Sequence, residues 1–373
     1  MRVLLMTSGL PLRGAERNVV DVLPYIKAQG VDIHLGTLNT RRDGPLAEEF
    51  ARTGLPRHDL GARRLLDRAA WSRFVELIRV QQFDLIHAQD QDTILFAAAA
   101  HWRLGIPTVM TRHVLVELAP NLKKWIRARA VLVAARHGFD RIVAVSEAVR
   151  QDFARRANVP LARIETIYNG LDMEPFLAER DRAALRVALG WGDAPVVLLI
   201  AALRERKGHD VLFQAIPALR AAVPDVQIKL VGDGKMAAQI RAEAEPYRDV
   251  VEFMGERTDV PDLLAACDAV VQSSWSEALP TVLIEAGASA CPVVATDVGG
   301  SAEIVVDGET GYLVPAGDAA QIAARLAQLL HDRDLAARLG AQARQRVLGL
   351  FSLEEQARQT AGLYERVLAG RRG

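Results

Sequence analysis

The chain contains only two cysteines, Cys267 and Cys291, among its 373 residues. Both stand in apolar surroundings, outside any CxxC motif and with no histidine nearby. This pattern argues against a disulfide framework and against a zinc site with the usual ligand spacing. We therefore expect two small buried side chains in a protein of a reducing compartment.

Long hydrophobic runs and an excess of one charge are also lacking. The longest apolar run, at 195–203, is far shorter than the roughly 20 residues that span a bilayer, and the first ten residues fit a buried strand better than a signal peptide. The 46 Lys and Arg residues balance 46 Asp and Glu residues, so no net field attracts nucleic acid. We expect a cytoplasmic protein with no nucleic-acid partner.

What the sequence does contain is a repeated alternation of short aliphatic runs with longer amphipathic stretches. Strand-like runs without period-two alternation, each followed by a helical pattern, predict an α/β fold with parallel sheets covered on both faces. Helices fit at 15–29 and 71–81. The predicted strands form two series, one at 2–6, 31–37, 84–88, 107–111 and 141–145, and one at 195–203, 226–231, 250–253, 268–271 and 292–295.

Chain length and the position of helix breakers predict two domains. The segment 168–195 is rich in Gly and Pro and marks a linker and the start of the second unit. We predict an N-terminal Rossmann-like domain at 1–175 and a C-terminal one at 185–350, with a last helix (352–373) joining the first domain. Ser352 and Glu355 have the spacing of a capping box at the start of that helix. Two doubly wound domains would face a cleft between the carboxyl ends of both sheets.

Two glutamates eight positions apart, Glu277 and Glu285, are the most informative feature of the sequence. Pro280 favours the first position of a helix, so Glu277 should lie on the loop before the helix and Glu285 about two turns inside it. The amides of Thr281 and Val282 would form an anion site at the positive helix end. Carboxylates on both sides of a diphosphate site suit a nucleotide-sugar, although an acidic first turn with one solvated glutamate explains the pair equally well.

Four further features lie at predicted strand ends. Gly14 follows the first strand, Arg204 and Lys207 follow the first strand of the second half, and Gly232 and the Gly299-Gly300 pair follow later strands. Glycine lets the backbone approach a phosphate or sugar closely, and two cations could neutralise a diphosphate. Each feature alone is explained as well by a simple or solvated turn; their common position at strand ends favours a binding site.

The first half of the chain adds two candidates. His113 ends a predicted strand, where it could contact a sugar hydroxyl or a phosphate, and a structural histidine is the competing interpretation. The triplet Asp90-Gln91-Asp92 resembles the DxD motif of metal-dependent sugar transferases. We predict no metal site, because the parallel architecture and the other motifs favour a cleft that needs none.

Taken together, these residues resemble the retaining glycosyltransferases of family four, the "glycosyl transferases group one" class with the GT-B fold. The resemblance covers nearly the whole chain and is carried by GAER at 14–17, HAQD at 87–90, AVSEAVR at 144–150, YNGLD at 168–172, LRERKG at 203–208, VGDG at 231–234, the E-x7-E segment at 277–285, and GGSAEIV with GETGYLVP at 299–315.

The resemblance implies a role for each matching position. Glu277 would contact the hydroxyls of the transferred sugar, Glu285 would hold the ribose, and Lys207, helped by Arg204, would stabilise the diphosphate. His113 would approach the donor sugar and, with Glu277 and Lys207, completes the expected catalytic set. The remaining expected donor-binding residues are Gly14, Gly232, Gly255, Glu256, Arg257, Ala278, Leu279, Thr281 and Val282.

Three positions depart from the family pattern. The paired glycine of the first loop is Arg13-Gly14, the Gly-Arg before the lysine loop is Ala201-Ala202, and the glycine that often follows the first glutamate is Ala278. One phosphate-binding arginine is therefore absent, and Arg204 is the one candidate to replace it. These departures affect the phosphate contacts more than the reaction.

The resemblance implies transfer of a sugar from a nucleoside diphosphate sugar, with retention and without a cofactor, to a glycan or lipid-linked acceptor. Synthesis of cell-surface polysaccharide or lipopolysaccharide would use such a reaction. Two alternatives remain: a nucleotide-sugar epimerase of the same architecture and a non-catalytic subunit. The basic segment 120–136 could lie on an anionic membrane surface, although a solvated helix on the N-terminal sheet explains it as well.

Overall fold

The structure, a computed structural model, describes residues 1–12, 14–63, 67–115 and 121–371. The chain divides into two compact units: unit 1 comprises Met1–Gly170 and Ser352–Gly373, and unit 2 comprises Leu171–Phe351. Among the described residues, no helix combines the length and the apolar character needed to cross a bilayer.

The described part of unit 1 contains one parallel sheet of seven strands in the order β3-β2-β1-β4-β5-β6-β7. All five strands predicted for this half are confirmed; β3 and β7 were not predicted, because they are three-residue edge strands without an aliphatic run. The strands are β1 (Arg2–Thr7), β2 (Asp32–Thr37), β3 (Arg57–Asp59), β4 (Leu85–Ala88), β5 (Thr108–Arg112), β6 (Arg141–Ala144) and β7 (Ile164–Thr166). The helices are α1 (Gly14–Ala28), α2 (Leu46–Arg52), α3 (Arg68–Gln81), α4 (Gln91–Leu104), α5 (Leu122–His137) and α6 (Glu147–Ala157).

Unit 2 has a parallel sheet of six strands in the order β10-β9-β8-β11-β12-β13. The strands are β8 (Val196–Ile200), β9 (Gln227–Val231), β10 (Val251–Gly255), β11 (Ala269–Gln272), β12 (Val293–Thr296) and β13 (Tyr312–Val314). The helices are α7 (Glu174–Leu177), α8 (Arg182–Leu189), α9 (His209–Ala222), α10 (Ala237–Ala244), α11 (Val260–Ala266), α12 (Thr281–Ala288), α13 (Ser301–Ile304), α14 (Ala319–His331) and α15 (Arg333–Leu350). The five predicted strands are confirmed, and the predicted linker region contains the two short helices α7 and α8.

The central strands β1, β4, β8 and β11 are buried at nearly every position because helices cover both faces of each sheet. In β8, residues Val196 to Leu199 are all at most 2% exposed, with no alternation of apolar and polar side chains. Because of this burial, the short aliphatic runs in the sequence predict the strand bounds to within a few residues.

The last helix, α16 (Leu353–Ala369), packs into the core of unit 1. Ser352 caps it by accepting a hydrogen bond from the Glu355 amide at 3.2 Å. The reciprocal half of the predicted capping box is absent, because the Glu355 carboxylate instead accepts hydrogen bonds from Arg358 and Gln359. The cap is therefore confirmed and the full capping box is wrong.

Each sheet has one point where the strand order reverses direction. In unit 1, β1 lies between β2 and β4, and in unit 2, β8 lies between β9 and β11. At this switch point the helices that follow neighbouring strands lie on opposite faces of the sheet. Their separation leaves a crevice at the carboxyl ends of the two strands. Each unit therefore has a natural ligand crevice of its own.

Candidate functional site

The two strongest candidate residues meet at the switch point of unit 2. Lys207 ends a 3-10 turn, Glu205–Lys207, shortly after β8, and Glu277 lies on the loop between β11 and α12. Because β8 and β11 are parallel neighbours, their carboxyl ends open on the same edge. Two residues 70 positions apart in the chain thus come into direct contact.

Glu277 is buried, with 5% of its surface exposed, and three side chains converge on its carboxylate. Lys207 Nζ lies 2.6 Å from Oε1, and the Ser274 hydroxyl donates to the same oxygen at 2.7 Å. Arg206 Nη1 lies 3.6 Å from Oε2. The carboxylate is therefore held in one orientation by a charge-assisted network.

Arg206 and Ser274 are the contacts that the sequence interpretation missed. Arg204, the predicted helper cation, is exposed, while Arg206 reaches Glu277 and also the Ser276 carbonyl at 3.3 Å. Arg204, Arg206 and Lys207 occupy one short turn, and only the geometry of that turn decides which of these side chains face the carboxylate. For Ser274, the one hint in the sequence is its position three residues before Glu277.

Two glycines bring the backbone against the loop that carries Glu277. Gly208 has φ +65°, and a Cβ there would lie 1.9 Å from the Ser273 carbonyl oxygen; Gly299 has φ +54°, and a Cβ there would lie 1.6 Å from the Glu277 carbonyl oxygen. Any side chain would both strain the left-handed backbone and displace the loop. The close approach at Gly299 explains the glycine that the sequence placed after β12.

Helix α12 begins beside Glu277. Pro280 is its N-cap and Thr281 its first residue, so Pro280 lies one position earlier than predicted. The amides of Thr281 and Val282 are in the first turn, where helical geometry provides no acceptor within the helix. Glu285 is the fifth helical residue, so it lies just over one turn inside the helix and not two.

Glu285 is only partly exposed, and its acidity is perturbed. Burial raises the pKa of its carboxyl group to about 7, against a smaller opposing effect of a hydrogen bond with the Thr281 side chain. A carboxyl group that is poised between its two protonation states near neutrality is more common at functional sites than elsewhere.

The remaining predicted donor-binding residues of unit 2 lie along the same sheet edge. The Gly232 amide donates to the Gly255 carbonyl at 2.7 Å, and a Cβ on Gly232 would lie 2.2 Å from the Ala201 carbonyl. Thus the ends of β8, β9 and β10 are held together by backbone contacts. Glu256 and Arg257 are exposed, and Arg257 forms an ion pair with Asp259 at 2.5 Å. Next to Glu277, Ala278 is half-buried and Leu279 is buried.

Unit 1 has its own pocket of about 310 Å³ at the carboxyl ends of β1, β4 and β5. His113, directly after β5, lines this pocket together with Glu16, Gln89 and Thr111. Burial, and then the charge of the adjacent arginine, lowers the pKa of His113 to about 4, so its ring is neutral at pH 7. Gly14 is the first residue of α1 and not a loop residue as predicted.

The Asp90-Gln91-Asp92 triplet has a structural role. Asp90 is the N-cap of α4 and accepts hydrogen bonds from the Ser8 hydroxyl at 2.7 Å and from the Ser8 amide. Asp92 pairs with Arg42 at 3.0 Å and with Arg127. Both carboxylates are thus already engaged. Within the described ranges, no three His, Cys, Asp or Glu side chains are grouped so that they could hold a metal ion.

Family models match both halves of the chain. Residues 181–346 match the model for glycosyl transferases group 1, and residues 12–175 match the model for glycosyltransferase family 4. A GDP-mannose-dependent alpha-(1-6)-phosphatidylinositol monomannoside mannosyltransferase of Mycolicibacterium smegmatis is 31% identical over 77% of this chain and 79% of its own length. An alpha-maltose-1-phosphate synthase of the same organism is 29% identical over 99% of this chain and 100% of its own length.

Solved structures show the same fold. Anabaena Alr3699/HepE in complex with UDP superposes with a TM-score of 0.86 at 24% identity, over 98% of this chain and 100% of that one. A glycosyltransferase from Rickettsia africae superposes with a TM-score of 0.82 at 20% identity, over 98% of both chains. The chain therefore belongs to the glycosyl transferases group 1 and is a glycosyltransferase with two Rossmann-like domains of the GT-B type.

Proposed function

We propose that this enzyme transfers a hexose from a nucleoside diphosphate sugar to a glycan or lipid-linked acceptor, with retention at the anomeric carbon and without a metal ion. Cell-surface polysaccharide or lipopolysaccharide synthesis is the proposed pathway. The observation that carries the proposal is the buried Glu277–Lys207 pair beside the first turn of α12. A carboxylate that could bind sugar hydroxyls, a cation and helix amides next to each other support this proposal.

The proposed chemistry follows from charge. Loss of the nucleoside diphosphate leaves an oxocarbenium-like sugar and builds negative charge on the departing phosphate oxygens. Lys207 and the amides of Thr281 and Val282 would stabilise that charge. In the free protein Lys207 is bound to Glu277; binding of a diphosphate would draw the ammonium group towards phosphate and release carboxylate oxygens for the sugar hydroxyls. The departing phosphate would help to deprotonate the acceptor on the same face.

In the proposal, the nucleoside lies on one side of the bound diphosphate and the transferred sugar on the other. Glu285 would accept hydrogen bonds from the ribose hydroxyls, and the backbone at Gly255 would face the base. His113 would contact the transferred sugar. Structural neighbours bind UDP and UDP-glucose, and one relative is a GDP-mannose-dependent mannosyltransferase; these ligands support a nucleotide-sugar donor for this chain.

A sugar-nucleotide panel tests the proposal. UDP-, GDP- and ADP-hexoses are screened for thermal stabilisation, because a ligand that binds only the native state raises the unfolding temperature. Transfer is then measured with the stabilising donor, in EDTA and in Mg²⁺, with the product anomer read by NMR. We expect Glu277→Ala to abolish transfer and Glu309→Ala, an exposed acid in the same unit, to leave it unchanged.

Each contrary result has a definite meaning. Turnover near that of the wild type in Glu277→Ala would remove its assigned role. An inverted product, or a strict requirement for Mg²⁺, would refute the proposed mechanism. Isomerised donor without acceptor would identify an epimerase, and failure to bind any nucleotide would identify a non-catalytic subunit.

We also propose that α5 rests on an anionic membrane surface, which suits a lipid-linked acceptor. Leu122, Trp125 and Ile126 are 70%, 52% and 55% exposed, and the Arg129 guanidinium lies 6.0 Å from the Trp125 ring. Apolar side chains beside arginine are typical of helices at the interface of anionic bilayers. Co-sedimentation with anionic vesicles should fall in Ile126→Glu but not in the control Val187→Glu; equal sedimentation of both variants, or none for the wild type, would reject this surface.

A further inference from the structure

The two cysteines meet at the amino ends of neighbouring strands of unit 2, at the edge of the sheet opposite the Glu277 site. Cys267 lies two positions before β11 and Cys291 two positions before β12. These strands are parallel neighbours, with Val270 paired to Val293. The two Sγ atoms are 3.2 Å apart, and both residues are 4% exposed. Two thiols that have no part in the proposed sugar transfer are therefore in direct contact.

A cavity of about 300 Å³ lies beside the two sulfurs. Cys267 and Cys291 line it together with Ser289, whose buried hydroxyl has no hydrogen-bond partner among the residues that the structure describes. The cavity has room for several water-sized molecules, and the serine hydroxyl offers them a hydrogen bond. A small polar oxidant such as hydrogen peroxide can therefore reach the thiols, whereas their burial keeps large thiol reagents away.

The positions of the cysteines suit a disulfide bond. An S–S bond is about 2.05 Å long, so the two sulfurs need to approach each other by about 1.2 Å, a change that side-chain rotation supplies. Neighbouring strands lie about 4.8 Å apart, which is within the range of Cα separations that disulfides span. Bond formation therefore requires no rearrangement of the sheet.

We propose that Cys267 and Cys291 are a reversible redox pair that a peroxide closes to a disulfide and a dithiol reopens. The sulfur of one thiolate attacks an oxygen of hydrogen peroxide; the O–O bond breaks, a sulfenic acid forms, and the other oxygen leaves as hydroxide and is protonated to water. The second cysteine loses its proton and attacks the sulfenic sulfur, so that the S–S bond forms, the S–O bond breaks and a second water leaves. The two sulfurs lose two electrons in all, and the peroxide gains them.

The closing reaction is slow, because the attacking form of a cysteine is the thiolate. Burial, and then the hydrogen bond with Cys291, raises the pKa of Cys267. The pair therefore stays reduced in a reducing compartment and closes only under sustained or concentrated peroxide.

The disulfide closes a loop that contains the candidate site. Between the two cysteines lie β11, the loop with Glu277, and α12 with Glu285. A bond between the ends of this segment reduces the conformational freedom of the unfolded chain and so stabilises the folded state. Oxidation thus protects the segment with both glutamates from unfolding. This consequence depends on the position of the cysteines and not on the proposed function.

Peptide mapping tests the redox pair directly. The folded protein is reduced, freed of reductant, treated with hydrogen peroxide and then denatured in an alkylating reagent. We expect a pair of peptides linked through Cys267 and Cys291, and recovery of both thiols after treatment with dithiothreitol. Two alkylated cysteines after peroxide treatment, a sulfinic acid in place of the disulfide, or a bond between two chains would overturn the proposal.

Thermal unfolding and hydrogen exchange test the stabilising effect. We expect peroxide to raise the unfolding temperature of the wild type by about 5 °C and to slow exchange in peptides from β11 to α12 but not in β1 or β2. The matched control Cys291→Ala, which keeps the other thiol, should show neither change. An unchanged unfolding temperature in protein with the mapped disulfide, or the same rise in Cys291→Ala, would refute the stabilising role. Both experiments need no nucleotide-sugar, so their outcome is independent of the transfer assay.

Discussion

Replacing Lys207 by methionine should destabilise unit 2 more than neutralising its partner does. The side chains of Lys207 and Glu277 are 16% and 6% exposed, and removing one partner of a buried pair costs about 3–5 kcal/mol because the other charge stays buried. The Ser274 hydroxyl and Arg206 remain near the carboxylate, so we expect about 2–3 kcal/mol for Lys207→Met. Glu277→Gln should cost about 1 kcal/mol, since the freed ammonium group can reach water.

The double variant is the decisive measurement. Lys207→Met with Glu277→Gln leaves no buried charge, so its cost should be about 1 kcal/mol, well below the sum of the single variants. Urea titrations followed by hydrogen exchange in peptides from β8 to α12 report unit 2 separately from unit 1. Additive costs, or a smaller cost for Lys207→Met than for Glu277→Gln, would refute the reasoning.

An exposed pair serves as the control. Arg248 and Glu245 lie 3.0 Å apart with side chains 79% and 65% exposed, and water screens such pairs strongly. The same cycle applied to this pair should give no measurable coupling. Coupling as large as that of Lys207 and Glu277 would show that burial is not the cause.

Three further outcomes are expected. Burial raises the pKa of Glu285 to about 7 from 4.5. Calorimetry should therefore show that the nucleotide-sugar identified by the panel binds more tightly as pH rises from 6 to 8, while the free energy of unfolding falls as pH rises from 4.5 to 7; Glu285→Gln should flatten both profiles. Gly299→Ala should abolish binding of that nucleotide-sugar, whereas Gly308→Ala, at φ +72° with open space around it, should retain it. The free thiols of Cys267 and Cys291 are buried, and burial raises the pKa of Cys267; both should react with Ellman's reagent only after unfolding, and fast labelling of the native protein would contradict this.

Most of the fold could be predicted from the sequence because doubly covered strands are continuous aliphatic runs. The strands that escaped prediction, β3, β7 and β13, have only three residues each. They lie at or near the ends of the strand order, where pairing with a neighbour matters more than side-chain hydrophobicity.

The candidate site could be predicted where the sequence itself indicates which residues lie at the ends of buried strands. Glu277 and Lys207 stood out because each follows a buried strand, and parallel neighbours bring their ends together. The hydrogen bond between Tyr364 and His87 could not be predicted, since the two residues are 277 positions apart. A local sequence pattern gives no information about a contact between a strand and a helix that lies near the other end of the chain.

Because α16 fills part of the core of unit 1, that unit is built from two separate pieces of chain, with all of unit 2 inserted between them. A ribosome therefore releases the whole of Leu171–Phe351 before it completes the first unit. All strands of the unit 2 sheet lie in one continuous stretch of chain, so unit 2 can fold during synthesis before unit 1 is complete. A nascent chain stopped before Leu353 would leave an apolar groove on unit 1 uncovered, which is a natural target for chaperones.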